Sequence, residues 1–181
     1  MKELSLNILD ITKNSVSAGA ENIEITLNTD KEGILTLTVK DDGCGMSEQT
    51  VKNVTDPFYT TRTTRKVGLG LPLLKLAAEQ TGGYLHIRSS KDESDHGTEL
   101  KAVFDTKSID FMPVGDIVST VCILIAGSPE IDFRFTDKSP ERCVSLDTSE
   151  LRAVLGEDIS LAEPEIQAWI SEYLREQYEN S

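Results

Sequence analysis

The chain has 181 residues, with 31 Asp and Glu against 18 Lys and Arg for a formal net charge of -13. That length holds one ordinary domain with an appendage or two small ones, and 38% hydrophobic with 27% charged residues is a globular balance, not a disordered one. The acidic excess argues against sequence-independent contact with nucleic acid or anionic lipid. No apolar run approaches the roughly 20 residues of a membrane-spanning helix, so no membrane insertion is expected. The start Met-Lys-Glu-Leu-Ser lacks an export signal's apolar core, and a cytoplasmic location is expected. Cys44, Cys122 and Cys143 show no Cys-x-x-Cys spacing and no nearby His pair, which reads as reduced thiols rather than a disulfide or zinc framework.

In chain order, residues 4–18 carry Leu6, Leu9, Lys13 and Val16 at helical spacing, with Ile8 and Ile11 widening the apolar side, and Gly19 stops the helix. Residues 22–29 and 34–40 alternate apolar and polar side chains around a turn-like stretch, which predicts a hairpin. A glycine-rich turn follows Asp41, then a short helix over 47–54 and a threonine-rich loop over 56–66. Pro72 suits the first position of a helix that opens at Gly68-Leu69-Gly70 and runs to Gly82-Gly83. Strands over 84–89 and 98–104 flank a polar loop.

Beyond residue 107 the composition shifts. A helix over 114–126, strands over 131–136 and 143–147, and two more helices are predicted; the last begins near Glu163 and puts Ile166, Trp169, Ile170, Tyr173, Leu174 and Tyr178 on one face. From Asp105 onward there are 16 acids and 6 bases, so most of the excess charge lies here. A solubilising surface explains it better than an acidic docking face does.

Four short elements carry chemistry. Asn7, Asp10 and Asn14 are spaced by three and four residues and form a polar stripe on the first helix. Alone, such a stripe is a solvated face; functionally, Asn14 would offer an oxygen to Mg²⁺ and Asp10 would orient or deprotonate an attacking group. Asp42-Gly43-Cys44-Gly45 ends a strand, where a carboxylate can accept from an adenine amine and glycines let backbone approach a flat base. Alone, it is an Asp-Gly turn. Residues 56–66 include Phe58, Thr60, Thr61, Arg62 and Lys66, an aromatic anchor with hydroxyls and cations that suit a lid over phosphates, or else a solvated loop. Gly68-Leu69-Gly70-Leu71 opens a helix, whose free N–H groups and dipole favour an anion. Neither glycine pair completes Gly-x-Gly-x-x-Gly, because Glu48 and Leu73 occupy the third positions.

In this order and spacing, the four elements resemble the nucleotide site of the gyrase, heat-shock-protein-90, histidine-kinase and MutL superfamily. The resemblance covers residues 1–105, and residues 56–75 with Thr81-Gly82-Gly83 and Gly97-Thr98 look especially like the ATP-binding domain of sensor histidine kinases. It implies an α/β protein of the Bergerat fold, a two-layer α+β sandwich with a mixed sheet and helices on one face, plus a smaller C-terminal α+β region over 106–181. It implies ATP and Mg²⁺ as cofactors. Asn14 would hold Mg²⁺, Asp42, Gly43 and Gly45 the adenine end, and Thr98 a place near the base. Phe58, Thr60, Thr61, Arg62 and Lys66 would serve the lid, with Gly68, Leu69, Gly70 and Leu71 at the phosphates. Two departures stand out: Asp10 occupies a position where most relatives carry glutamate or histidine, and only residues 63–67 separate the aromatic segment from Gly68.

With the first helix expected almost at Met1, no phosphoacceptor hairpin is expected before it, and neither His86 nor His96 reads as an acceptor. Three functions stay open: a kinase component acting on another protein's histidine or serine, an ATPase switch, and an ATP sensor without turnover. Residues 106–181 would then be a transducer, an element forming a homodimer, or a partner-binding region.

Overall fold

The computed structural model describes residues 3–56, 70–156 and 158–181. Helix α1 (Leu4–Ser17) buries Leu4, Ile8 and Ile11 at helical spacing. No side chain caps its start; instead the N–H groups of Leu4 and Ser5 donate to the carbonyls of Pro113 and Val114 at 2.9 and 2.8 Å. Strands β1 (Asn22–Thr29) and β2 (Ile34–Asp41) form the expected hairpin, and Ser47 caps the short α2 (Glu48–Asn53) by accepting from the Thr50 N–H. Helix α3 (Gly70–Gln80) places Pro72 in its first turn, where a missing N–H costs nothing. Then come β3 (Tyr84–Ser90), β4 (Gly97–Asp105), α4 (Ile117–Gly127), β5 (Asp132–Ser139), β6 (Arg142–Asp147), α5 (Thr148–Leu155) and α6 (Pro164–Glu179).

One six-stranded sheet results, in the order β3-β4-β2-β1-β5-β6, antiparallel throughout except where β5 runs parallel to β1. Alternation sets the faces. Ile23, Ile25 and Leu27 of β1, Leu35, Leu37 and Val39 of β2, and Phe133 and Phe135 of β5 point to one side, where α3, α1, α4 and α6 pack beside one another in that order. Among the described residues after Asp105, Val121, Leu146, Ile170 and Leu174 belong to the same apolar cluster as Leu4 and Leu37. Among the described residues, no helix is long and apolar enough to cross a membrane.

Two expectations from helical periodicity need correction. Asn7 does not join Asp10 and Asn14 on a polar stripe; it is 1% exposed, with Nδ2 donating to the Glu3 carbonyl at 3.4 Å and to Met112 Sδ at 3.5 Å. The segment returning through Phe111 to Val114 crosses the start of α1 and covers that position, which no single-helix pattern can reveal. On α6, Ile170 and Leu174 are buried, whereas Trp169 and Tyr173 stay exposed and stack on each other with ring centroids 5.0 Å apart.

The second face of the sheet is open and charged. Register aligns Asp147, Arg134, Glu24, Lys40, Glu99 and Arg88 in one row across all the strands, with the sign changing at every step. Like charges are thereby kept apart, while each exposed pair adds little stability by itself.

The β6 edge is closed by α6. The Gln177 side-chain amide accepts from the Ser145 N–H and donates to the Ser145 carbonyl, both at 3.0 Å, and so occupies edge groups that would otherwise recruit another strand. Next to it, Tyr178 donates to the buried Asp137 carboxylate at 2.7 Å and Arg142 does so at 3.0 Å. Burial, then the Asp137 charge, push the Tyr178 phenol well above its ordinary range, so it remains a neutral donor. Tyr178→Phe is expected to lower the unfolding free energy by about 1–2 kcal/mol in a urea titration, since Arg142 still serves the carboxylate.

Candidate functional site

The period of two that buries Leu35, Leu37 and Val39 carries Asp41 to the same side, at the end of β2 and beneath the helices. Asp41 is 8% exposed. Three donors from separate segments hold its carboxylate: Ser15 Oγ of α1 at 2.5 Å, the Gly43 N–H at 3.0 Å and the Thr98 N–H of β4 at 3.2 Å. Asp42 has the opposite parity. Its carboxylate accepts from the Glu21 N–H at 2.8 Å, the Asn22 N–H at 2.9 Å and Asn22 Nδ2 at 2.7 Å, closing the head of β1. Burial alone would raise the Asp42 carboxyl, but the hydrogen bonds from Asn22 and Glu21 outweigh it and hold it below its usual range. Asp42, which the resemblance put at the adenine end, thus spends its carboxylate on the head of β1, and Asp41 is the carboxylate beside Gly43 and Thr98.

The glycine turn is fastened on two sides. Toward α1, Gly43 packs on Ala18 and the Cys44 N–H donates to the Ala18 carbonyl at 2.9 Å. Toward the β3–β4 hairpin, the Met46 N–H donates to Ser89 Oγ at 2.8 Å, Ser89 Oγ contacts the Gly97 carbonyl and Thr98 Oγ1 at 2.8 Å each, and His96 Nδ1 lies 2.9 Å from the Gly43 carbonyl. Gly45 has φ 66°, and a Cβ there would overlap the Ser90 carbonyl, so both conformation and space demand glycine.

Midway along α1, the start of α3 closes on Asp10, so near that a Cβ on Gly70 would overlap the Asp10 carboxylate. Asn14 lies one turn beyond Asp10 on the same helix, and both are half-buried. About 12 Å of helix axis separates Asp10 from Ala18, so the second half of α1 forms a wall between the glycine turn after β2 and the start of α3. Leu71 turns inward and packs on the core. Phe58, Thr60, Thr61, Arg62, Lys66, Gly68 and Leu69 lie outside the described residues.

Sequence reading missed Asp41, Ser15, Ser89 and His96. Strand parity was the available signal for Asp41, because Leu35, Leu37, Val39 and Asp41 share one face. Ser15, Ser89 and His96 carry no local signal; each is defined by a partner at least 26, 8 and 53 residues away, respectively.

A family model described as histidine kinase-, DNA gyrase B-, and HSP90-like ATPase matches residues 1–108. Sporulation kinase C of Bacillus subtilis (strain 168) is 31% identical over 109 residues, which cover 60% of this chain and 24% of that kinase. Sensor histidine kinase CpxA of Escherichia coli (strain K12) is 34% identical over 86 residues, covering 45% of this chain and 19% of that protein. The chain therefore spans less than a quarter of the length of either relative. Among solved structures, the N-terminal domain of a DNA repair protein superposes with a TM-score of 0.59 at 14% identity, covering 87% of this chain and 58% of the other. The Aquifex aeolicus MutL ATPase domain complexed with ADP superposes with a TM-score of 0.55 at 13% identity, covering 86% of this chain and 69% of the other. At such identities the likeness shows the fold, a Bergerat arrangement of mixed sheet and one helical layer. Those shares are too large to stop at Asp105, in line with the sheet continuing through β5 and β6.

Gly45→Ala is expected to destabilise the protein by about 1–3 kcal/mol, measured by urea unfolding, because alanine resists the left-handed φ and meets backbone at Ser90.

Proposed function

The chain belongs to the histidine kinase-, DNA gyrase B-, and HSP90-like ATPase family, and on that premise we propose that it binds Mg-ATP along α1 and passes the γ-phosphate to an acceptor on another protein. The observation that carries the binding is the Asp41 carboxylate. An ionised carboxylate has about four acceptor positions; Ser15, Gly43 and Thr98 use three, and the remaining one suits the exocyclic amine of adenine. Gly43 and Gly45 let the ring approach the backbone, and Thr98 stands beside it through Asp41 and Ser89.

From the base, the nucleotide would run along α1 toward Asp10, a distance that matches a base followed by sugar and phosphates. The free N–H groups at the start of α3, extended by Gly68, Leu69 and Gly70, would take the phosphates. Asn14 offers a side-chain oxygen on a half-buried helix face, a donor that fits Mg²⁺. Bound Mg²⁺ would neutralise phosphate charge and orient the γ-phosphoryl group for in-line displacement. Asp10, against the start of α3, is the base for the attacking group. Phe58, Thr60, Thr61, Arg62 and Lys66 would close over the phosphates and supply positive charge.

Neither histidine of this chain serves as acceptor in this reading. His86 is exposed on β3, paired in register with Lys101 on the open face, and His96 is held at the base end by Gly43. Neither stands at the Asp10–Gly70 end, and the kinase names of the relatives favour a protein acceptor over water.

Calorimetry with Mg-ATP tests the binding. Asn14→Ala and Asp41→Asn should each weaken affinity about tenfold or more, whereas Asp42→Asn should stay within about twofold. Unchanged affinity in Asp41→Asn would sink the assignment of the base site. With γ-labelled ATP, label is expected on a co-purifying protein and lost in Asp10→Asn. Free phosphate in the isolated protein would instead identify an ATPase switch, and tight binding without either product an ATP sensor acting on a partner through residues 106–181.

A further inference from the structure

We propose that His96 is a positioning residue for the base-binding turn: from the β3–β4 hairpin its imidazole clamps the Gly43 carbonyl, and nucleotide affinity follows hydrogen-bond donation at that one oxygen. This rests on the reading of Asp41 and the glycine turn as the adenine end.

Gly43 is held through both of its polar backbone groups. Its N–H donates to Asp41 Oδ1 at 3.0 Å, and its carbonyl lies 2.9 Å from His96 Nδ1. The same Asp41 oxygen receives the Thr98 N–H at 3.2 Å, and Thr98 is two residues beyond His96 on the hairpin. His96, Gly43, Asp41 and Thr98 thus form a closed ring. Releasing His96 leaves Gly43 free to shift, and Gly43 shares the carboxylate oxygen that sets the base position.

The chemistry of this clamp is asymmetric. A carbonyl only accepts, so Nδ1 must carry a proton. A neutral imidazole holds one proton for two nitrogens, whereas the imidazolium carries one on each and makes the stronger, charge-assisted bond. The surroundings favour the charged form. The Gly43 carbonyl first, and then the Asp42 carbonyl and the charges of Asp42 and Asp95, raise the His96 imidazole above 6.5 against a smaller opposing effect of burial.

The charged neighbours come from three directions. On the turn, Asp42 is committed to Glu21 and Asn22; on the hairpin, Asp95 pairs with Arg88 at 3.8 Å. Across the adjoining groove on the open face stand Glu24, Lys40, Asp132, Arg134 and Asp147, with Arg134 tied to Asp147 at 3.0 Å. Among these, imidazole is the side chain whose ordinary titration falls between about pH 5 and pH 8. Because the folded value lies above 6.5, the full clamp is present below 6.5 and is lost as pH rises through the folded value.

The experiment is calorimetry of ATP binding to the full chain at about pH 6 and about pH 8, in the unaltered protein, His96→Ala and His96→Asn. Comparing proteins at equal pH cancels the titration of the nucleotide's own phosphates. The unaltered protein should bind about threefold more tightly, relative to His96→Ala, at the lower pH than at the higher. His96→Asn keeps a donor near the place of Nδ1, so it should retain most of the affinity while matching the pH response of His96→Ala. Equal affinity of all three proteins at both pH values, or one common pH response, would overturn the clamp while leaving the nucleotide site standing. A weakened His96→Asn with a response like that of His96→Ala would also overturn it. Absence of binding in the unaltered protein would overturn the site and the clamp together.

Discussion

A carboxylate buried at a strand end needs donors from the protein, because water no longer serves it. Asp41 draws them from α1, from its own turn and from β4, three parts of the chain that share no sequence neighbourhood. Satisfying that one group therefore fixes where the helix, the glycine turn and the far hairpin stand relative to one another. In the proposed reading, a base-binding surface assembled this way is in place before the ligand, which lowers the ordering cost of binding.

Helix α1 transmits this constraint to the other end of the site. Ala18 receives the glycine turn after β2, and Asp10 stands against Gly70, so both contacts are gauged from one helix. The start of α1 is itself held by the carbonyls of Pro113 and Val114, which belong to the segment leading into α4. Residues past Asp105 thus support the site: they cap the helix that carries Asp10 and Asn14, and they extend the sheet beneath it through the parallel pairing of β5 with β1.

The two faces of the sheet divide the work. One is dry, with Phe104, Phe135, Leu37 and Ile25 under the helices, and it carries Asp41. The other is a solvated field of alternating charges, and it carries Asp42, whose three donors belong to residues Glu21 and Asn22. Adjacent residues at one strand end thereby acquire different partners for a purely geometric reason.

Much of this protein was legible from sequence alone. Alternation and helical spacing located the strands and helices in their observed order, because both periods are local properties of the backbone. Glycine positions disclosed the turn after β2, since the left-handed φ at Gly45 is a local demand that excludes other residues wherever the rest of the chain lies. Tertiary structure alone decided what depends on distant partners: that Asn7 is buried under Met112, that the last two strands join the first sheet, and that Ser15, Ser89 and His96 converge on the turn after β2. Burial and hydrogen bonding are relations between segments, and a periodic pattern within one segment contains no record of which other segment will cover it.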